Sequence, residues 1–243
     1  MGWEKVKLKI DRSIKYRKLP ERYKTHLNVM HHVKHSIFAF TFILLDIISL
    51  IFIVLAPHQS TFWITIPLVV IINVWSLTIL LRNTENMILE PILYTACLGV
   101  VGSLCNFVVV QKFYYLIFKF SSPLFFIICL LIFSLFVKQQ IWYQVKKFSN
   151  IHSNFGEEKL NPKRDYFIMT LFGIGYIIYA YLARSYPILT IAYPLTIFSF
   201  FCLFFAYLSV KFFHKYVFMK TNMMYVPLPK QLKKQLKAKK VTM

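Results

Sequence analysis

Long apolar runs, separated by short polar or basic segments, are the main feature of the hydropathy pattern of this chain. Six runs are long enough to cross the roughly 30 Å hydrocarbon layer of a bilayer as helices. They predict an all-α, polytopic membrane protein with six transmembrane helices at residues 36–56, 62–81, 87–110, 120–137, 166–183 and 188–210. Because the connections after the first, third and fifth helices are short, we expect three antiparallel hairpins.

The composition agrees with this pattern. Hydrophobic residues make up 58% of the chain and aromatic residues 18%, whereas a soluble domain is roughly 45 to 50% apolar. A soluble globule is therefore excluded. A signal peptide has an apolar core of only about 7 to 15 residues, so we expect the longer first run to stay in place as an uncleaved anchor.

The basic residues are concentrated between the apolar runs. Lysine and arginine total 29 against 9 acids, which in a soluble chain would favour nucleic acid as a partner. Here the cations flank bilayer crossings instead, so nucleic acid is not expected. With the N-terminus inside, 26 of them are cytoplasmic and 3 lie outside, namely Lys112, Lys119 and Arg184. The positive-inside rule then predicts a plasma-membrane protein with both termini cytoplasmic.

Three regions follow from this topology. They are a basic arm (1–35), a six-helix transmembrane domain (36–210) and a basic tail (211–243). In the tail, Leu228, Leu232 and Leu236 stand four apart among lysines, which predicts a short amphipathic helix. We expect that helix to lie on anionic inner-leaflet lipids, each cation contributing about 1 kcal/mol; a run that only secures topology is the alternative. The membrane-surface basic residues are Lys230, Lys233, Lys234, Lys237, Lys239 and Lys240.

Asp46 lies near the middle of the first predicted crossing. An ionised carboxylate there is costly, so Asp46 should be protonated, paired or exposed to water. Asn73 in the second crossing has a similar depth, roughly 15 Å from the outer end. The two side chains are therefore expected to face each other. Asp46 is then either a structural hydrogen-bonding group or a proton or cation site.

Glu90 stands directly before Pro91 at the cytoplasmic start of the third crossing, and Arg82 closes the second. Because the connection between them is short, we expect an Arg82–Glu90 ion pair, with Glu85 competing for the arginine. A role of Glu90 in substrate binding is the alternative.

The histidines and cysteines give no complete metal motif. His31 and His35 have the spacing of one helical face, but His32 stands where the HExxH motif of zinc hydrolases needs a glutamate. Contact with lipid phosphates is the favoured interpretation, and a metal-dependent lipid-modifying enzyme is the alternative. Cys97, Cys105, Cys129 and Cys202 all fall in predicted crossings and are expected to be free packing residues. No metal or other cofactor is expected.

The segment 212–220, FFHKYVFMK, is followed by YVPLP at 225–229. With this tail and its six-helix layout, the chain resembles small membrane proteins encoded with type VII secretion systems and their toxins in staphylococci and related Gram-positive bacteria. The resemblance carries no catalytic residue to this sequence. It implies a non-enzymatic accessory or immunity role, with a membrane-active toxin or a secretion component as partner.

Two functional hypotheses follow. The first is a non-enzymatic protein that acts through helix contacts within the bilayer and guards against a membrane-active toxin or assists its export. The second is a small proton- or ion-coupled transporter that uses Asp46, Asn73 and Glu90.

Overall fold

The computed structural model describes residues 9–11, 14–30, 33–54, 59–82, 87–117, 119, 121–149 and 187–227. Within these ranges every regular element is a helix, so the all-α class is confirmed. The predicted fifth crossing at 166–183 and the six tail lysines lie outside the described residues.

Five long helical stretches and a short N-terminal helix make up the described fold. The short helix α1 is Glu21–Leu27, and the helical run 33–54 consists of α2 (Val33–Phe38), a π-helix (Ala39–Leu50) and α3 (Ile51–Val54). Short 3-10 helices at Tyr16–Lys18 and Met223–Tyr225 lie near the two ends of the described chain, and a second π-helix, Phe113–Ile117, extends α5. The remaining long helices are α4 (Gln59–Leu81), α5 (Glu90–Lys112), α6 (Leu124–Ser149) and α7 (Pro187–Thr221).

Four described stretches are long and apolar enough to cross a membrane, in agreement with four of the six predicted crossings. They are Trp63–Leu81, Glu90–Tyr115, Leu124–Ser149 and Tyr193–Thr221. The first predicted crossing, 36–56, coincides with the helical run 33–54 over most of its length. The helix α5 begins at Glu90 with Pro91 in its first turn, where a missing N–H costs nothing. Both α6 and α7 continue past the predicted membrane boundaries, to Ser149 and Thr221.

Close contact between α5 and α7 forms the centre of the fold. A Cβ atom added to Gly99 would lie 2.6 Å from the backbone nitrogen of Ser209, and one added to Gly102 would lie 2.5 Å from the ring of Phe205. Only glycine allows the backbones to approach this closely. Lipid tails are as apolar as the side chains, so the hydrophobic effect does not drive helices together in a bilayer. Close van der Waals packing of this kind stabilises the helix pair instead.

A second hydrophobic cluster joins the two ends of the described chain. Its buried residues, here called the terminal cluster, are Ile10, Leu19, Tyr23, Leu27, Ile88, Ile92, Phe148, Phe218, Met219, Tyr225 and Val226. The backbone N–H of Ile10 donates to Asn222 Oδ1 at 2.8 Å, and the Tyr225 hydroxyl donates to the Asp11 carbonyl at 2.8 Å. The Tyr23 hydroxyl donates to the Phe148 carbonyl at 3.0 Å. The described part of the basic arm is thus folded back against the ends of α6 and α7.

His26 lies inside this cluster. Its ring stacks on Phe148 with centroids 4.2 Å apart, and its Nε2 lies 3.1 Å from Nδ1 of His214. Burial is the main cause that lowers the pKa of His26 to about 2, and electrostatic interactions with His214, Lys215, Lys211 and Lys147 contribute to the same shift. The docked imidazole is therefore neutral at physiological pH.

Acidification is expected to release the arm from the terminal cluster. In an undocked arm His26 takes up a proton near its ordinary pKa of about 6.5. The docked ring stays neutral down to its lowered pKa of about 2. Docking is thus fully stable above pH 6.5 and weakens by about tenfold per pH unit below it. Pulsed EPR between spin labels at Tyr16→Cys and Met224→Cys, both exposed positions, measures the separation.

The matched variant is His26→Phe, which keeps an aromatic ring against Phe148 without a titrating group. Separation of the arm should then move to lower pH. Release at the same pH in the wild type and in this variant would show that another group controls docking.

Candidate intramembrane polar site

Asp46 and Asn73 form a hydrogen-bonded pair between the first π-helix and α4. The amide nitrogen Nδ2 of Asn73 donates to Asp46 Oδ1 at 3.0 Å. Both side chains are half-buried, at the surface shared by the two helices. The structure therefore brings together the two residues for which the sequence predicts equal depth.

The π-helix that carries Asp46 is 12 residues long, from Ala39 to Leu50. Most π-helical segments are single turns, and they are frequent at functional sites. The Ser49 hydroxyl donates back to the Leu44 carbonyl at 3.1 Å, which gives this segment a side-chain hydrogen bond along its own axis. Asp46 thus stands on an unusual backbone rather than on a regular α-helix.

Further polar pairs lie on either side of Asp46 along the helical run 33–54. Thr41 Oγ1 and the Tyr94 hydroxyl are 2.5 Å apart, and both side chains are buried. The Ser49 hydroxyl also lies 3.3 Å from Asn106 Oδ1, which shares the single hydroxyl proton with the Leu44 carbonyl, and Asn106 Nδ2 donates to the Gly102 carbonyl at 2.7 Å. We call these side chains, with Asp46 and Asn73, the polar seam: Thr41, Asp46, Ser49, Asn73, Tyr94 and Asn106.

The two ends of the seam carry charged groups. At one end, Lys112 is buried and its Nζ donates to the Ile53 carbonyl at 2.6 Å. At the other, Glu90 Oε1 lies 3.6 Å from Arg82 Nη1 and accepts a hydrogen bond from Trp75 Nε1 at 3.3 Å. The Arg82 side chain is 61% exposed, so this ion pair adds little stability. Glu85, the expected competitor, lies outside the described residues.

Asp46 and Asn73 keep unused hydrogen-bonding capacity. The Asn73 Oδ1 atom is buried and has no hydrogen-bond partner among the described residues. Over the same part of the chain, Asp46 forms no ion pair. A buried polar atom without a partner costs about 1 to 3 kcal/mol. A proton on Asp46 that is donated to the Asn73 Oδ1 atom would relieve that cost.

Exposed apolar residues surround the pair. On the helical run 33–54, Ile43 and Ile47 are exposed, and on α4 Val70, Val74 and Leu77 are exposed. The pair thus forms a polar spot on an apolar helix surface, and not a fully enclosed part of the core.

The other predicted sites do not join this one. His35 is exposed, and His31 and His32 lie outside the described residues. No group of three or more His, Cys, Asp or Glu side chains that could hold a metal occurs in the described part of the chain. Cys105 and Cys202 are buried and free, and the Cys202 thiol donates to the Ser103 carbonyl at 3.4 Å.

Sequence analysis did not predict four members of the polar seam, namely Thr41, Ser49, Tyr94 and Asn106. Thr41 and Ser49 stand eight residues apart, with Leu45 between them, and all three are fully buried. Residues four apart lie on the same side of a helix, so this spacing identifies the side of the first helix that faces the protein interior. Nothing in the sequence identifies Tyr94 or Asn106 as their partners, because tyrosine and asparagine are also frequent at interfaces and turns.

Comparisons with known proteins add no family to this description. No family model matches the chain, and no curated protein or solved structure matches it. The resemblance to proteins encoded with type VII secretion systems therefore stays a prediction from layout and tail.

Asn73→Leu is expected to lower the apparent melting temperature of the purified protein in detergent. It removes the donor to Asp46 and leaves the carboxyl without that partner, at a cost of about 1 kcal/mol, typical of helix–helix hydrogen bonds in membranes. Thr78→Val is the matched control on the same helix, because Thr78 is exposed and its hydroxyl bonds only the Trp75 carbonyl of its own helix. Equal melting temperatures for the two variants would contradict a stabilising role of the pair.

Proposed function

We propose that this chain is a non-enzymatic integral protein of the plasma membrane that acts through contacts of its helices within the bilayer. Its role would be that of an accessory or immunity protein for a secreted or membrane-active toxin. The observation that carries this proposal is the half-buried Asp46–Asn73 pair on an otherwise apolar helix surface. A polar spot of this kind lets a second transmembrane helix gain a hydrogen bond that lipid does not offer.

The proposed topology has six crossings and both termini in the cytoplasm. The four span-length stretches, the helical run 33–54 and the apolar segment 166–183 supply the six crossings. Lysines lie over aromatic rings four residues earlier at the ends of α6 and α7, as expected where side chains meet an interface. These pairs are Trp142–Lys146, Tyr143–Lys147, Tyr207–Lys211 and Tyr216–Lys220.

The helix α6 supports a role in contacts with other molecules. No residue of its part 124–143 is buried by the described fold. Leu124, Ile128, Leu131 and Leu135 are each more than half exposed and share one helical face. This face has no polar group, so it offers a partner no directional bond. We therefore assign recognition to the surface around Asp46 and Asn73.

Cells that express this protein are expected to survive a membrane-active toxin encoded beside its gene. A bulky substitution beside the polar pair, Val74→Trp, should reduce survival at least tenfold, because the indole would cover the surface that the toxin contacts. The matched control is Leu131→Trp on α6, where lipid accommodates the added ring. Counts of surviving cells, with membrane levels of each variant measured by immunoblot, check the expectation.

Two outcomes separate the function from its site. Unchanged killing in cells that express the wild type, for every neighbouring toxin, would remove the immunity role. If Leu131→Trp abolishes protection and Val74→Trp does not, the immunity role stands, but the surface that contacts the toxin lies on α6.

Proton- or ion-coupled transport remains the second candidate, because polar side chains follow one another between the helical run 33–54, α4 and α5. Transport predicts a proton or cation flux into liposomes that hold the purified protein. Asp46→Asn should abolish that flux and leave the melting temperature unchanged. Vesicles with wild-type protein that show no flux above protein-free vesicles would dispose of transport.

A further inference from the structure

We infer that the Asp46–Asn73 pair is a docking site for a transmembrane helix of a partner protein, and that the partner helix carries an arginine or lysine at mid-depth. This inference rests on the proposed function and adds the chemistry of the partner. It starts from a half-buried carboxyl group that forms no ion pair with a described residue.

Charge complementarity selects a cation. Of the nine acidic residues, only Asp46 and Glu90 lie within the predicted crossings. Glu90 already has Arg82 and Trp75 as partners, whereas the Asp46 carboxyl has the amide of Asn73 as its one partner among the described residues. Charged residues within membranes are rare and are usually paired with one another. A cationic side chain on a partner helix would supply the missing partner at the required depth.

The geometry of the pair fits one donor group with several N–H bonds. The Asn73 Nδ2 atom donates to Asp46 Oδ1, and the second carboxyl oxygen, Oδ2, has no hydrogen-bond partner among the described residues. A guanidinium has five donors in a planar fork and can bond both oxygens of one carboxylate at once. The same fork can therefore bond Oδ2 of Asp46 together with the second lone pair of Oδ1.

The apolar residues around the pair complete the docking surface. Ile43 and Ile47 on one helix and Val70 and Val74 on the other are between 43% and 57% exposed. Between these side chains the Asp46 carboxyl is only half-buried, so a neighbouring helix can reach it. An apolar helix can pack along this surface and carry its cation to Asp46, while the basic segments of this protein repel cations near the bilayer surfaces.

The probe is a synthetic helix of leucine and alanine, about 20 residues long, with one arginine at its centre. Energy transfer in phosphatidylcholine liposomes is measured between a dye on this peptide and a dye on one terminus of the full-length protein. The control peptide has leucine at the centre. We expect the arginine peptide to bind the wild type at least tenfold more tightly than the leucine peptide does.

Three variants test the role of the carboxyl group. Asp46→Asn keeps a polar side chain beside Asn73 but removes the charge, and it should lower the affinity for the arginine peptide at least tenfold. Asp46→Glu should restore most of that affinity. Glu90→Gln is the matched acid-to-amide control and should bind like the wild type, since Glu90 is already paired with Arg82. Melting temperatures of all variants confirm that they are folded.

Equal binding of the two peptides would overturn the inference, because it would mean apolar contact alone. So would wild-type affinity in the folded Asp46→Asn variant. If the peptide fails to bind while protection against a toxin persists, the docking chemistry is wrong and the proposed function stands. If the peptide binds as expected and no toxin is blocked, the site exists and serves another partner.

Discussion

In hydrocarbon a polar side chain must find its partners on neighbouring helices, and this constraint organises the interior of the protein. Threonine, serine, asparagine and tyrosine side chains of the polar seam pair across the helical run 33–54, α4 and α5. Each pair fixes the rotation of one helix against the next, because a turn of either helix would leave a polar group in lipid. The close contact of α5 with α7 at Gly99 then holds α7 against this core.

Much of the secondary structure is visible in the hydropathy pattern, because helices that face lipid must be long and apolar. The partners of Asp46 and Glu90 can also be predicted from the sequence, since similar depth in the bilayer limits which residues can meet. The rotation of each helix about its axis cannot be predicted in this way. Most positions of α4 and α6 are apolar, so periodicity does not identify their inner faces, and the pairing of Thr41 with Tyr94 depends on tertiary packing.

The terminal cluster shows a different limit of sequence analysis. The basic arm has the composition of a solvated segment, and lysines separate its apolar residues. Yet Tyr23 and Leu27, one helical turn apart, are almost completely buried against residues from the far end of the chain. Their spacing is a helical signal, but the surface that receives them exists only after α6 and α7 have formed. Because of this cluster, the described N- and C-terminal regions are held against one another. A conformational change in one of them therefore alters the packing of the other.

Lys112 is one of only three basic residues on the predicted outer side, and its contact gives it a reason to be there. The Ile53 carbonyl that it reaches is in the last turn of the helical run 33–54, where backbone oxygens lack intrahelical donors and the helix dipole is negative. The ammonium group thus acts as a C-terminal cap supplied by a different helix. Since Lys112 has this structural role, its position on the outer side is weak evidence against the orientation that the positive-inside rule predicts. Without Lys112, the end of the first helix would fray, and unwinding would progress toward the turn that holds Asp46.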